Sequence, residues 1–142
     1  MDSIFSHIIS FAIGLSTGIL GAFIANRLSE KAKRKDEIKG RKKEFYNVTS
    51  KMQDLTKEMR EDLLSPKMSE CREFFISPNK NVTINSKSPT FFYYVDEHPN
   101  LMSKIRNLEN AGFIFDITPG NAPKYQMSEE FVEFILNSNE DK

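Results

Sequence analysis

The chain has 142 residues, 20 basic and 20 acidic side chains, a formal net charge of zero and one cysteine. That length leaves room for a single small folded domain once non-globular segments are set aside, and the lone Cys71 excludes an intramolecular disulfide and a cysteine-based zinc site. The charge is segregated: residues 27–43 hold nine Lys/Arg against three Asp/Glu, whereas residues 65–142 hold eight basic and eleven acidic side chains.

Residues 1–3 are a short polar start, and residues 4–25 carry no charged side chain. As a helix this run rises roughly 33 Å at ~1.5 Å per residue, enough for a hydrocarbon core of about 30 Å. Ser6, His7, Ser10, Ser16 and Thr17 dilute it. A cleaved signal peptide would place its cations before the apolar run; here they follow it. The expectation is therefore a retained single-pass helix in the cell (inner) membrane, with the N-terminus outside and residues 26–142 cytoplasmic. The sequons Asn47-Val48-Thr49 and Asn81-Val82-Thr83 have no meaning on that side. Ser10, Gly14, Gly18, Gly21 and Ala25 recur at steps of four, four, three and four, on one helical face. Small residues at this spacing let two backbones approach closely. The expected contact is with a second copy or with another membrane protein.

Residues 26–43 form a basic segment in which Arg27, Lys31, Lys33, Arg34 and Lys35 are candidate contacts to lipid headgroups, at about 1 kcal/mol each near an anionic surface. Residues 37–64 contain no proline and predict a continuous connector helix. Its apolar positions Phe45, Val48, Met52, Leu55 and Met59 are spaced three, four, three and four. That spacing is an a/d seam, read either as a short coiled coil in a homodimer or as a stripe laid on the following domain.

Residues 65–137 predict a small α+β domain, followed by a polar tail over 138–142. Ser65-Pro66 reads as a cap and first turn for a short helix through Cys71, Phe74 and Phe75, and Val82-Thr83-Ile84 as a strand. The aromatic run 90–95 suits a strand or a buried short helix. Pro99 opens a helix with Leu101, Ile105 and Leu108 on one face and Gly112 as its stop. Residues 113–118 and 124–127 are two strands around a Pro/Gly loop. Ser128 caps a last helix, with Glu129 and Glu130 in its first turn and Phe131, Val132, Ile135 and Leu136 facing inward.

The run Leu101-Met102-Ser103-Lys104-Ile105-Arg106-Asn107-Leu108-Glu109-Asn110-Ala111-Gly112-Phe113-Ile114 resembles the helix-to-wing passage of winged-helix domains, over about residues 66–137. The resemblance implies a recognition helix ending at Gly112, and a wing after it. The fold class expected for the chain is thus an N-terminal transmembrane helix, a helical or coiled-coil connector and a winged-helix-like domain. For nucleic acid, that helix and wing offer only Lys104, Arg106 and Lys124, within a domain of net negative charge that is poorly suited to neutralising phosphates.

Asp96-Glu97-His98 reads as a helix-initiating turn rather than acid–base machinery, and Cys71 as a small apolar residue rather than a reactive thiol. No glycine-rich phosphate loop is present. The pattern calls for no enzyme activity, cofactor, metal or small-molecule substrate. It points to a membrane-anchored protein-interaction module working as a homodimer, an architecture similar to small superinfection-exclusion and defence-type membrane proteins. The other classes that fit are a membrane-tethered DNA-binding regulator and an assembly subunit of a larger membrane complex.

Overall fold

The structure, a computed structural model, describes residues 2–81 and 88–138, with side chains from residue 21 onward. It divides into two compact units, Met1–Arg41 and Lys42–Lys142. Helix α1 (Asp2–Thr49) is followed by α2 (Gln53–Leu64), β1 (Glu73–Ser77), β2 (Phe91–Tyr94), α3 (Leu101–Asn110), β3 (Ile114–Asp116), β4 (Lys124–Met127) and α4 (Glu129–Asn137).

In the first unit every residue from 21 to 40 is exposed. The membrane-spanning helix expected over 4–25 is corrected here: among the described residues, no helix is long and apolar enough to cross a membrane. The uncharged stretch with described side chains is only 21–26, about 9 Å at ~1.5 Å per residue, before Arg27 and the cations that follow. The single-pass inner-membrane topology loses its support with the span. Of the small-residue face, Ser10, Gly14 and Gly18 lie outside the residues whose side chains are described, while Gly21 and Ala25 are exposed.

The expected continuous helix over 37–64 is also corrected. The hydroxyls of Thr49 and Ser50 donate to the carbonyls of Phe45 (2.8 Å) and Asn47 (2.9 Å). They thereby compete with the backbone for the last turn of α1. The chain breaks at Met52 (φ −145°) and restarts as α2. This break carries the seam inward. Phe45, Met52, Leu55 and Met59 are almost fully buried and Val48 packs against them, all within the core of their own unit. The stripe reading of the seam therefore holds and the coiled-coil connector does not.

The sheet of the second unit has strand order β2-β1-β4-β3. β1 and β2 run parallel, whereas β4 is antiparallel to both β1 and β3. Phe74 and Phe75, expected in a short helix after Ser65-Pro66, stand in β1, where alternation sends Phe74 into the core and Phe75 to the opposite face against Phe92 (ring centroids 5.6 Å). Aromatic side chains on a half-buried strand outweigh the local cap signal. The run at 90–95 resolves as strand β2, and the strand expected at Val82–Ile84 lies outside the described residues. Among the described residues, the expected fold class gives way to four helices and a four-stranded mixed sheet.

The C-terminal elements coincide with their sequence signals. The left-handed Gly112 (φ +72°) ends α3, with its amide bonded to Glu109 O and that of Phe113 to Leu108 O, the Schellman pattern that satisfies the final carbonyls. Ser128 Oγ accepts from Phe131 N at 3.1 Å and so caps α4. Between them, Phe113 and Phe131 stack at 5.5 Å, and Phe45 meets both rings edge-on at 5.9 and 6.0 Å. The last turns of α1 are thereby fixed into the domain by one aromatic anchor.

Candidate functional site

Two regions carry more chemistry than packing requires. The first is the polar seam between α2 and the segment entering α3. A step of four residues along α2 places Asp54, Glu58 and Asp62 on one side of the helix. His98, in the turn before α3, lies between the first two: Nδ1 is 3.2 Å from Asp54 Oδ2 and Nε2 is 2.5 Å from Glu58 Oε2. Lys104, one turn into α3, donates to both oxygens of Asp54 at 2.9 and 2.7 Å. Tyr93 Oη donates to Asp62 Oδ2 at 3.2 Å.

The electrostatics follow from this geometry. The Lys104 ammonium holds the Asp54 carboxyl down to about 2, with desolvation opposing and His98 adding to the depression. Burial pushes Asp62 up, against the hydrogen bond from Tyr93, and burial likewise pushes the Tyr93 hydroxyl well above its ordinary value. His98 is 5 % exposed and both its ring nitrogens face carboxylate oxygens. Among the described residues, no three His, Cys, Asp or Glu side chains converge as a metal site. The cluster works as a polar clamp joining α2 to β2 and α3. The sequence reading of Asp96-Glu97-His98 as a helix-entry turn holds for the backbone but misses the clamp, because its two partner carboxylates lie 40 and 44 residues away.

The remaining candidates of this unit are similarly engaged. Lys124 donates toward Glu73 Oε2 at 2.5 Å and sits 5.3 Å over the Phe75 ring. With Lys104 held by Asp54, two of the three cations of the nucleic-acid reading are neutralised within the fold, while Arg106 is exposed. Cys71 is half-buried, and its thiol lies 3.1 Å from the Pro89 carbonyl oxygen. An open groove of about 360 Å³ between the end of α1 and the end of α3 is lined by carboxamides of Asn47, Asn107 and Asn110, with Glu44 and Lys51. Its lining holds no Ser, Thr, Cys or His.

The second region is α1 from 21 to 40. Its apolar side chains are unusually bare: Phe23 and Ile24 are 56 % exposed, Leu28 62 % and Ile38 54 %. The Arg27 guanidinium lies 5.0 Å over the Phe23 ring one turn back, and Lys31, Lys33, Arg34 and Lys35 are exposed. An isolated helix draws little stability from its own hydrogen bonds; packing of one face normally supplies it. This stretch has a face to offer and no buried residue, which makes it the surface on which a binding function is best sought. Comparison with protein families, curated proteins and solved structures finds no match to this chain.

Proposed function

We propose that this protein is a non-enzymatic interaction module that pairs with a second copy of itself along α1. The observation that carries the reading is that every residue from 21 to 40 is exposed, Leu28 among them at 62 %. Within that stretch Gly21, Ala25, Leu28 and Ala32 follow one another at steps of four, three and four, the spacing of a seam between parallel helices. Three of the four are small, which favours close approach of two backbones. A Cβ built on Gly21 meets nothing within 4 Å, so the space beside this turn is open. In the same register Lys31 and Asp36 fall at the flanking positions that oppose one another across a parallel pair. The clamp around His98 supports a scaffold role for the second unit, since its polar groups are satisfied by each other.

The test is sedimentation equilibrium on the full chain and on Leu28→Glu. A wild-type dimer that becomes monomeric in the variant is the expected result, because a carboxylate on the seam of both copies opposes like charge at close range. A wild-type monomer, or a dimer unaltered by Leu28→Glu, would overturn the reading.

A further inference from the structure

The charged side chains of α1 are not scattered around the helix. Projected at about 100° per residue, Arg27, Lys31, Arg34 and Lys35 fall within one arc of about 120°. Phe23, Ile24 and Ile38 fall in the same arc, and no other residue between 21 and 40 does. Of the three acids of the stretch, Asp36 lies opposite the arc, Glu37 about 100° from its centre and Glu30 about 20° beyond its Phe23 edge, and Lys33 and Lys39 are the bases outside it. The seam through Gly21, Ala25, Leu28 and Ala32 is centred about 110° from the middle of the arc, so pairing of two copies leaves Phe23, Arg27, Arg34 and Ile38 outward, with Ile24, Lys31 and Lys35 on the flank toward the seam.

We infer that the ridge is a docking surface for anionic phospholipid headgroups, bound from one side without a span. Two features select this occupant. Cations and exposed apolar side chains share the face, so ammonium and guanidinium groups can reach phosphates while Phe23, Ile24 and Ile38 enter the headgroup boundary. A nucleic acid would use the cations and leave those three apolar side chains in water. Of the acids, which an anionic surface would repel, Asp36 and Glu37 are turned away and Glu30 borders the face at its Phe23 edge. The inference does not depend on pairing, because one helix presents the whole ridge.

The test is flotation of the full chain with vesicles of phosphatidylcholine alone, or with about 30 % phosphatidylglycerol to give the surface its negative potential. Two charge-matched double variants are compared with wild type: Arg27→Glu/Arg34→Glu on the ridge and Lys33→Glu/Lys43→Glu off it. The expected result is binding to the anionic vesicles at least about tenfold stronger than to neutral ones, falling with added salt. The ridge variant should lose that excess and the off-ridge variant should keep most of it. Equal binding to both vesicle types, or equal losses in the two variants, would overturn the inference. So would binding to a duplex oligonucleotide at the affinity seen for anionic vesicles, abolished by the ridge variant. Leu28→Glu separates the two readings: a monomer that still prefers anionic vesicles retains the ridge and removes the pairing.

Discussion

The two units of this chain share a helix and share periodic apolar residues, yet they use them in opposite ways. From 45 to 59 the apolar stripe is almost fully buried; from 23 to 38 residues of the same types stand more than half exposed. The difference lies in what stands opposite. Phe45, Leu55 and Met59 share a core with Phe74 and Tyr93 of the sheet, Ile105, Leu108 and Phe131 of two further helices, and Phe113 of the turn after α3. Ile24, Leu28 and Ile38 stand more than half exposed among the described residues of their own unit, with charged side chains around them. Periodicity therefore marks where a helix can bury a stripe, while the occupant of the opposite side determines whether it does so within the chain or against a partner.

The largest expected effect sharpens this contrast directly. Leu55→Ala, at a site with no exposed surface, should destabilise the second unit by about 3 kcal/mol, from lost transfer energy and the cavity left behind. Leu28→Ala in the first unit should leave the unfolding of the second within about 0.5 kcal/mol of wild type. Urea unfolding followed by tyrosine fluorescence measures both, since the chain has four tyrosines and no tryptophan. A comparable loss from the two substitutions would break the division.

A smaller effect comes from the clamp. The folded-state pKa of Asp54, about 2, lies below its ordinary 3.8. Its ionised form therefore adds stability that is fully present above about pH 4 and is lost as pH falls through about 2. Because its side chain is 47 % exposed, solvent screening reduces that contribution to about 1 kcal/mol. Asp54→Asn should cost about that much near neutral pH and nothing at the acid end. A penalty independent of pH would mean that the carboxylate acts by shape rather than charge.

The smallest effect belongs to α1. A Cβ at Gly40 meets nothing within 4 Å, so Gly40→Ala should raise helix content by the propensity difference of about 0.8 kcal/mol. Circular dichroism during mild heating reads this, and the cooperative melt of the second unit should not shift. A large shift in that melt would show that the end of α1 limits the domain's stability.

Several features were readable from residues alone because their causes are local. Gly112 stops α3 because a left-handed residue is needed there, Ser128 caps α4 with its own hydroxyl, and Pro119-Gly120 separates two strands; each signal spans fewer than six residues. The basic character of 27–43 also follows from composition. Other features were misread because local cues competed with distant ones. Ser65-Pro66 argues for a helix, but Phe74 and Phe75 gain more from pairing with Phe91 and Phe92, 17 residues further on. The absence of proline and the unbroken apolar spacing argue for a continuous connector, and the Thr49 and Ser50 hydroxyls that end α1 are only a weak local signal for the break at Met52, which lets α2 turn its apolar side onto the core.

By itself, then, the sequence determined the caps, the turns, the C-terminal order of helix, hairpin and helix, and the segregation of positive charge onto the first helix, all consequences of neighbouring residues. Tertiary structure alone decided that the stripe at 45–59 becomes core, that β1 pairs in parallel with β2, and that His98 sits between two carboxylates of α2. Each of these depends on groups brought together from distant parts of the chain, and the free energy of such contacts exists only once the chain has closed around them.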